Sequence, residues 1–143
     1  MKSALATLIF GTSLLLGACA ADPKVEPTLW KRLGGTPVVT AIVDELIDRS
    51  IADARTKRSF DGVKIPRVKE KVVEQICFLS GGPCQYTGDP MTEVHKGLKI
   101  NNAEFDLFVQ FLRDALDHAK VGIAEKNELL RLLAPMKRDI VTT

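Results

Sequence analysis

The chain has 143 residues, with 20 lysines and arginines against 18 aspartates and glutamates, a formal charge of +2. So even a balance excludes the strong positive field that nucleic-acid binding uses. The length suits one compact domain behind a short leader and is too small for two.

Lys2 opens the chain and an apolar run over residues 4–17 follows, shorter than a comfortable membrane span; together they read as an export leader. Leu16-Gly17-Ala18-Cys19 has the form of a lipobox, small residues before a cysteine that is acylated and becomes the mature N-terminus. The alternative is an ordinary signal peptide cut after an A-x-A-like site, and both export the chain. Residues 1–18 are therefore expected to be removed and Cys19 lipidated. The protein is then held on the periplasmic side of a bacterial membrane by its lipid anchor alone. Residues 19–28, with Asp22, Pro23, Lys24, Glu26 and Pro27, form a polar tether, and the domain occupies residues 29–143.

The domain begins with the short apolar segment Leu29, Trp30 and Leu33, closed by Gly34-Gly35. A helix over residues 36–53 follows, with Thr36 as N-cap and Pro37 at the first helical position. Val39, Ile42, Val43, Leu46 and Ile47 recur at helical spacing and mark its buried face. Residues 54–64 are charged and irregular around a single aromatic, Phe60. A second helix starts near Pro66 and carries Val68, Val72, Ile76 and Leu79 on one stripe until Gly81-Gly82-Pro83 stops it. Beyond a loop and a short turn at His95, residues 101–120 form a third helix, opened by a capping box of Asn101 and Glu104. Phe105, Phe108, Val109, Leu112, Ala115 and Leu116 are its apolar face. The last helix is expected over residues 124–141, kinked where Pro135 removes a backbone donor. No stretch alternates apolar and polar residues over a strand length, so the class is all-α.

Three cysteines are present. With Cys19 used by the anchor, Cys77 and Cys84 remain as an even pair in an oxidising compartment and are expected to form a disulfide; two separate buried thiols are the alternative. Their C-x₆-C spacing, with no histidine nearby, does not resemble a zinc site.

The chemistry concentrates in residues 81–100, GGPCQYTGDPMTEVHKGLKI, which hold His95, one of two histidines. A neutral imidazole on a short helix is a common axial ligand to haem iron. The run GGP, YTG, PM, then VH followed by Gly97 and Ile100, with Phe105 five residues on, resembles the proximal region of the group I truncated haemoglobins. The resemblance covers residues 29–141. It implies a single-domain, two-over-two globin fold, one haem b (iron protoporphyrin IX) held by His95, and reversible binding of O₂, CO or NO.

By the same resemblance Phe60 packs on the porphyrin face, Met91, Val94, Leu98, Ile100, Phe105 and Phe108 line the proximal side and rim, and Lys71 meets a haem propionate. His118, in DHAK at a helix end, has no such setting and is read as a solvent-facing residue on the helix dipole. On the distal side the sequence departs from the family. The position of its usual tyrosine, counted back from Phe60, is Ile47, and the distal helix offers Val68 and Val72 where a polar partner often stands. Gln75 shares that face a turn beyond the expected glutamine, and the one tyrosine, Tyr86, is in the loop. A buried donor to bound oxygen contributes about 1.5–3 kcal/mol, so without one oxygen is expected to be held weakly, with CO and NO less affected.

Two other readings remain. One is an enzyme of the same fold, a nitric oxide dioxygenase or peroxidase. The first needs a reductase, here an unidentified partner, and the second a distal acid or base that is not found. The other is a haem-free helical lipoprotein with a vestigial His95.

Overall fold

The computed structural model describes residues 26–143. The export leader, the lipidation at Cys19 and the first part of the tether lie outside the described residues. Helix α1, Leu29–Arg32, is short because Gly34 ends it in the left-handed region at φ 96°, but it buries both Leu29 and Trp30. Thr28 caps it, and the Trp30 amide donates to the Ser80 carbonyl at 2.8 Å.

Helix α2, Gly35–Ala52, is the spine of the core. Val39, Ile42, Val43, Leu46 and Ile47 are each at most 2% exposed, which is the stripe read from the sequence. The helix begins one residue before Thr36, because left-handed Gly34 and not a hydroxyl supplies the cap. Ser50 is also fully buried, and its hydroxyl donates to the Leu46 carbonyl at 2.7 Å. Thr56 then donates to the Ser50 carbonyl, closing the turn that leads into the 3-10 segment Lys57–Phe60.

Helix α3, Ile65–Leu79, carries Pro66 in its first turn, where a missing N–H costs nothing. It ends at Ser80, and Gly81 follows at φ 76°. The next glycine admits no side chain: a Cβ on Gly82 would stand 2.5 Å from Cys77 Sγ and 2.9 Å from the Trp30 ring. Cys77 and Cys84 are joined, their α-carbons 5.8 Å apart, so the loop is stapled to the end of α3. The single turn α4, Met91–Val94, has His95 as its C-terminal cap.

Helix α5, Asn102–His118, opens with both halves of the expected capping box: Glu104 N–H donates to Asn101 Oδ1 at 2.9 Å and Asn101 N–H to Glu104 Oε2 at 3.0 Å. The final helix is divided more than expected. Helix α6, Ile123–Leu133, gives way at Pro135 to a 3-10 turn, Ala134–Met136, and then to α7, Lys137–Ile140. The backbone donor that proline lacks is enough to end the α-helical ladder there.

Helix α2 packs against both α3 and α5, α1 bridges to α6, and α4 rests against α7. The one pairing outside helices among the described residues is a bridge between Ile100 and Val141. No described helix is long and apolar enough to cross a membrane.

Candidate functional site

The core is closed unevenly. In α3 the fully buried residues are Ile76 and Cys77, and in α5 they are Phe111, Leu112, Ala115 and Leu116, all in the C-terminal halves. Nearer the N-termini the same faces stay apolar but only half-buried, at Val68 and Val72 on α3 and at Phe105 and Phe108 on α5. Both helices lean on α2. Each therefore presents an apolar stripe that its neighbours cover only in part. Leaving such side chains half-wet forgoes roughly 25 cal/mol for every Å² that a further apolar surface would cover.

His95 caps α4, the turn that Gln75 of α3 reaches at the Met91 sulfur. Its ring is half-buried, and Nδ1 lies 2.9 Å from the Met91 carbonyl. A carbonyl only accepts, so this contact requires the proton on Nδ1 and, in the neutral imidazole, leaves the lone pair on Nε2. That is the tautomer a metal-ligating imidazole needs. Among the described residues Nε2 has no hydrogen-bond partner within the protein. Gly97, at φ 78°, and Lys99, at φ 50°, then turn the chain sharply toward α5.

Of the residues expected around His95, Phe60, Met91, Leu98, Phe105 and Phe108 are half-buried, Val94 is exposed, and Ile100 is buried beside Val141. Lys137 stands over the Phe105 ring, its Nζ 5.2 Å from the centroid. Ile47, expected on the distal side, is 1% exposed and belongs to the core cluster that α2 buries. Gln75 points its amide at the Met91 sulfur, 3.6 Å away, and so spans from α3 to α4. Tyr86 is occupied in the loop, donating to the Asp89 carbonyl.

Lys71 is engaged within the protein. Its Nζ donates to Glu74 at 2.8 Å and to the Thr87 hydroxyl at 2.6 Å, and Glu74 also accepts the Thr87 backbone N–H. The Lys71 hydrogen bond, and after it the Thr87 amide, hold the Glu74 carboxyl below its ordinary value. His118 is on the surface, 67% exposed, with Nδ1 2.7 Å from Glu45. No group of three or more potential metal-ligating side chains is present among the described residues. Two shallow cavities of about 290 and 300 Å³ lie against Arg55, Asn101 and Glu104, and against Arg49 and Phe111; His95 lines neither.

Sequence reading did not find Arg58. Its guanidinium donates to both Glu104 oxygens and to the carbonyls of Leu98 and Lys99. Nothing local marks it, since those partners are 40 to 46 residues away.

A half-buried neutral imidazole with Nε2 unengaged, in a chain whose α3 and α5 keep half-buried apolar residues, fits the chemistry of a histidine ligand to haem iron. Comparison with known proteins agrees in fold and sequence. The bacterial-like globin family matches residues 28–142. A group 1 truncated haemoglobin of Mycolicibacterium paratuberculosis is 36% identical over 120 residues, 83% of this chain and 88% of its own. The crystal structure of the Fe(III) truncated haemoglobin from Tetrahymena pyriformis superposes with a TM-score of 0.77 at 28% identity, covering 82% of this chain and all of that one. The 2/2 haemoglobin of a Synechococcus species, solved in the cyanomet state with covalently attached haem, shares the fold at a TM-score of 0.75 and 20% identity, over 80% of this chain and 98% of that one. The helix order and this kinship place the chain in the bacterial-like globin family, among the group 1 truncated haemoglobins.

Proposed function

We propose that the protein binds one haem b through His95 Nε2 and uses it to bind diatomic gases reversibly. The observation that carries this reading is the Nδ1 contact to the Met91 carbonyl, which orients the ring and, in the neutral imidazole, leaves its other nitrogen free; half-buried Val68, Val72, Phe105 and Phe108 are the apolar side chains offered to the haem. Haem, held by His95, would supply an iron centre able to bind a diatomic gas. The remaining work falls to the chain. Phe60, Leu98, Phe105 and Phe108 supply apolar surface that excludes water from the ring, with Met91, Val94 and Ile100 at the edge. Lys71 is the cation for a propionate, in competition with Glu74 for the same ammonium.

The distal wall sets the preference among gases. Ile47, Val68 and Val72 have no hydrogen to donate, and Gln75 has its amide directed at Met91. Oxygen, which depends on such a donor, is held weakly, and carbon monoxide and nitric oxide are favoured relative to it.

The test is a titration of the oxidised protein with hemin, followed in the visible region with and without dithionite and carbon monoxide. A Soret band that saturates at one haem per chain, shifts on reduction and on CO, and is lost or displaced in His95→Ala but kept in His118→Ala is the expected result. A spectrum indifferent to His95 would sink the reading.

The site belongs to an exported protein in the same proposal. The lipobox ending at Cys19 supports a lipid anchor at a bacterial membrane, and the Cys77–Cys84 disulfide suits an oxidising compartment. Palmitate incorporated in a bacterial host should be lost in Cys19→Ser; label unchanged by that substitution would remove the anchor.

A further inference from the structure

Three segments meet at one side chain. The 3-10 turn Lys57–Phe60 carries Phe60, the corner at residues 97–100 leads away from His95, and α5 begins at Asn102. Arg58 joins all three. Its Nη1 donates to the Leu98 carbonyl at 2.7 Å and its Nη2 to the Lys99 carbonyl at 2.9 Å, while Nε and Nη2 both reach the Glu104 carboxylate at 2.7 Å. Glu104 is only 11% exposed and is the same carboxylate that closes the α5 capping box. The corner it grips needs holding, because Lys99 is a non-glycine residue in the left-handed region at φ 50°. From the other side the C-terminus holds it too, with Thr142 N–H donating to the Ile100 carbonyl and the Thr143 hydroxyl to that of Lys99.

The link to the site is short. Leu98 N–H donates to the His95 carbonyl at 3.1 Å, and the Leu98 carbonyl is the acceptor for Arg58. We infer that Arg58 is a positioning residue for His95, clamping the corner that follows the histidine to the turn that bears Phe60 and so fixing the separation between the ligand and the wall opposite. This rests on the reading of His95 as the iron ligand. A lysine cannot substitute, since the clamp uses the planar fork of the guanidinium to reach two carbonyls and a carboxylate at once. The paired charges agree with the geometry: the hydrogen bond from Arg58 holds the Glu104 carboxyl below its ordinary value.

The test uses the full chain with hemin bound, in the native form and as Arg58→Lys and Arg58→Gln. Three quantities are read: the rate of haem loss to an excess of a competing haem-binding protein, the iron–histidine stretching band of the ferrous form in resonance Raman, and exchange of the Leu98 amide hydrogen in the haem-free protein. Both variants are expected to lose haem about tenfold faster, the effect of one charge-assisted hydrogen bond. The stretching band shifts and Leu98 exchanges faster, while the amides of α2 keep their protection. Native haem loss and an unshifted band in Arg58→Gln would overturn the clamp even though His95→Ala still abolishes the spectrum. Should Arg58→Gln fail to fold, Arg58→Lys decides by the same readings. A spectrum unchanged in His95→Ala would instead overturn the ligand assignment, and the clamp with it.

Discussion

At the scale of single residues, the site is tuned by which hydrogen-bonding groups are already engaged. His95 spends Nδ1 on a backbone carbonyl, which in the neutral imidazole places the lone pair on Nε2 without any second side chain. Gln75 spends its amide on a thioether, a weak acceptor, and is thereby the one distal donor that a better acceptor could draw away. Glu74 is fully engaged, with Lys71 and two groups of Thr87 upon it. Its folded-state carboxyl titrates below the ordinary 4.5, the Lys71 hydrogen bond being the largest cause. A depressed carboxylate favours the fold only when charged. Its contribution is therefore complete above about pH 4.5 and is lost as pH falls through the lower folded value. Glu74→Gln is expected to melt below the native protein at pH 7, and the gap should close as the pH is taken from 5 to 3, as followed by thermal melts across that range. A gap independent of pH would show that the charge of Glu74 is not what ties Thr87 to α3.

Among the elements, the division of labour follows from where each helix places its apolar stripe. Helix α2 buries its stripe completely and serves as a fixed floor, whereas α3 and α5 bury only half of theirs. The Cys77–Cys84 bond fastens the buried end of α3 to the loop that delivers α4 and His95. For a closed loop of that length the chain-entropy description gives about 2–3 kcal/mol. Reduction, or replacement of both cysteines by serine, should lower the unfolding free energy from urea melts by that amount, seen as a lower midpoint with the slope nearly unchanged; an unaltered midpoint would mean the loop is held without help from the disulfide.

Much of this layer was legible in the sequence because it is local. The i, i+3, i+4 spacing of Val39 to Ile47, the Asn101 and Glu104 box, and the glycines after Ser80 each act within a turn or two. Pro135 was legible as a disturbance but not as a full break, since whether a helix kinks or ends depends on what packs beneath it. Arg58 was not legible at all: its partners are distant along the chain and its role exists only once the corner at Lys99 is folded. The engagement of Lys71 by Thr87, sixteen residues on, escaped for the same reason.

For the molecule as a whole, stability and function divide along the length of the core. The region around Leu46, Ile76, Leu116 and Leu129 is dry and closed, each of these side chains being at most 2% exposed. Val68 and Val72 on α3 and Phe105 and Phe108 on α5 stay half-buried, and under the proposed function theirs is the apolar surface that the haem would cover. The resemblance to group I truncated haemoglobins carried the fold; the proposal adds His95 as the ligand and a distal side, at Ile47, Val68 and Val72, that lacks a donor. The most direct test of a His95-bound haem lacking a distal donor is the rate of oxygen dissociation from the ferrous protein, measured by displacement with carbon monoxide in the native chain and in Val72→Gln. Val72 is half-buried, so an amide can enter there with less crowding than at Ile47. Fast release in the native protein, slowed about ten- to a hundredfold by the introduced donor, is the predicted result. Native release already as slow as in Val72→Gln would contradict it, and would mean that a donor such as Gln75 reaches the bound oxygen after all.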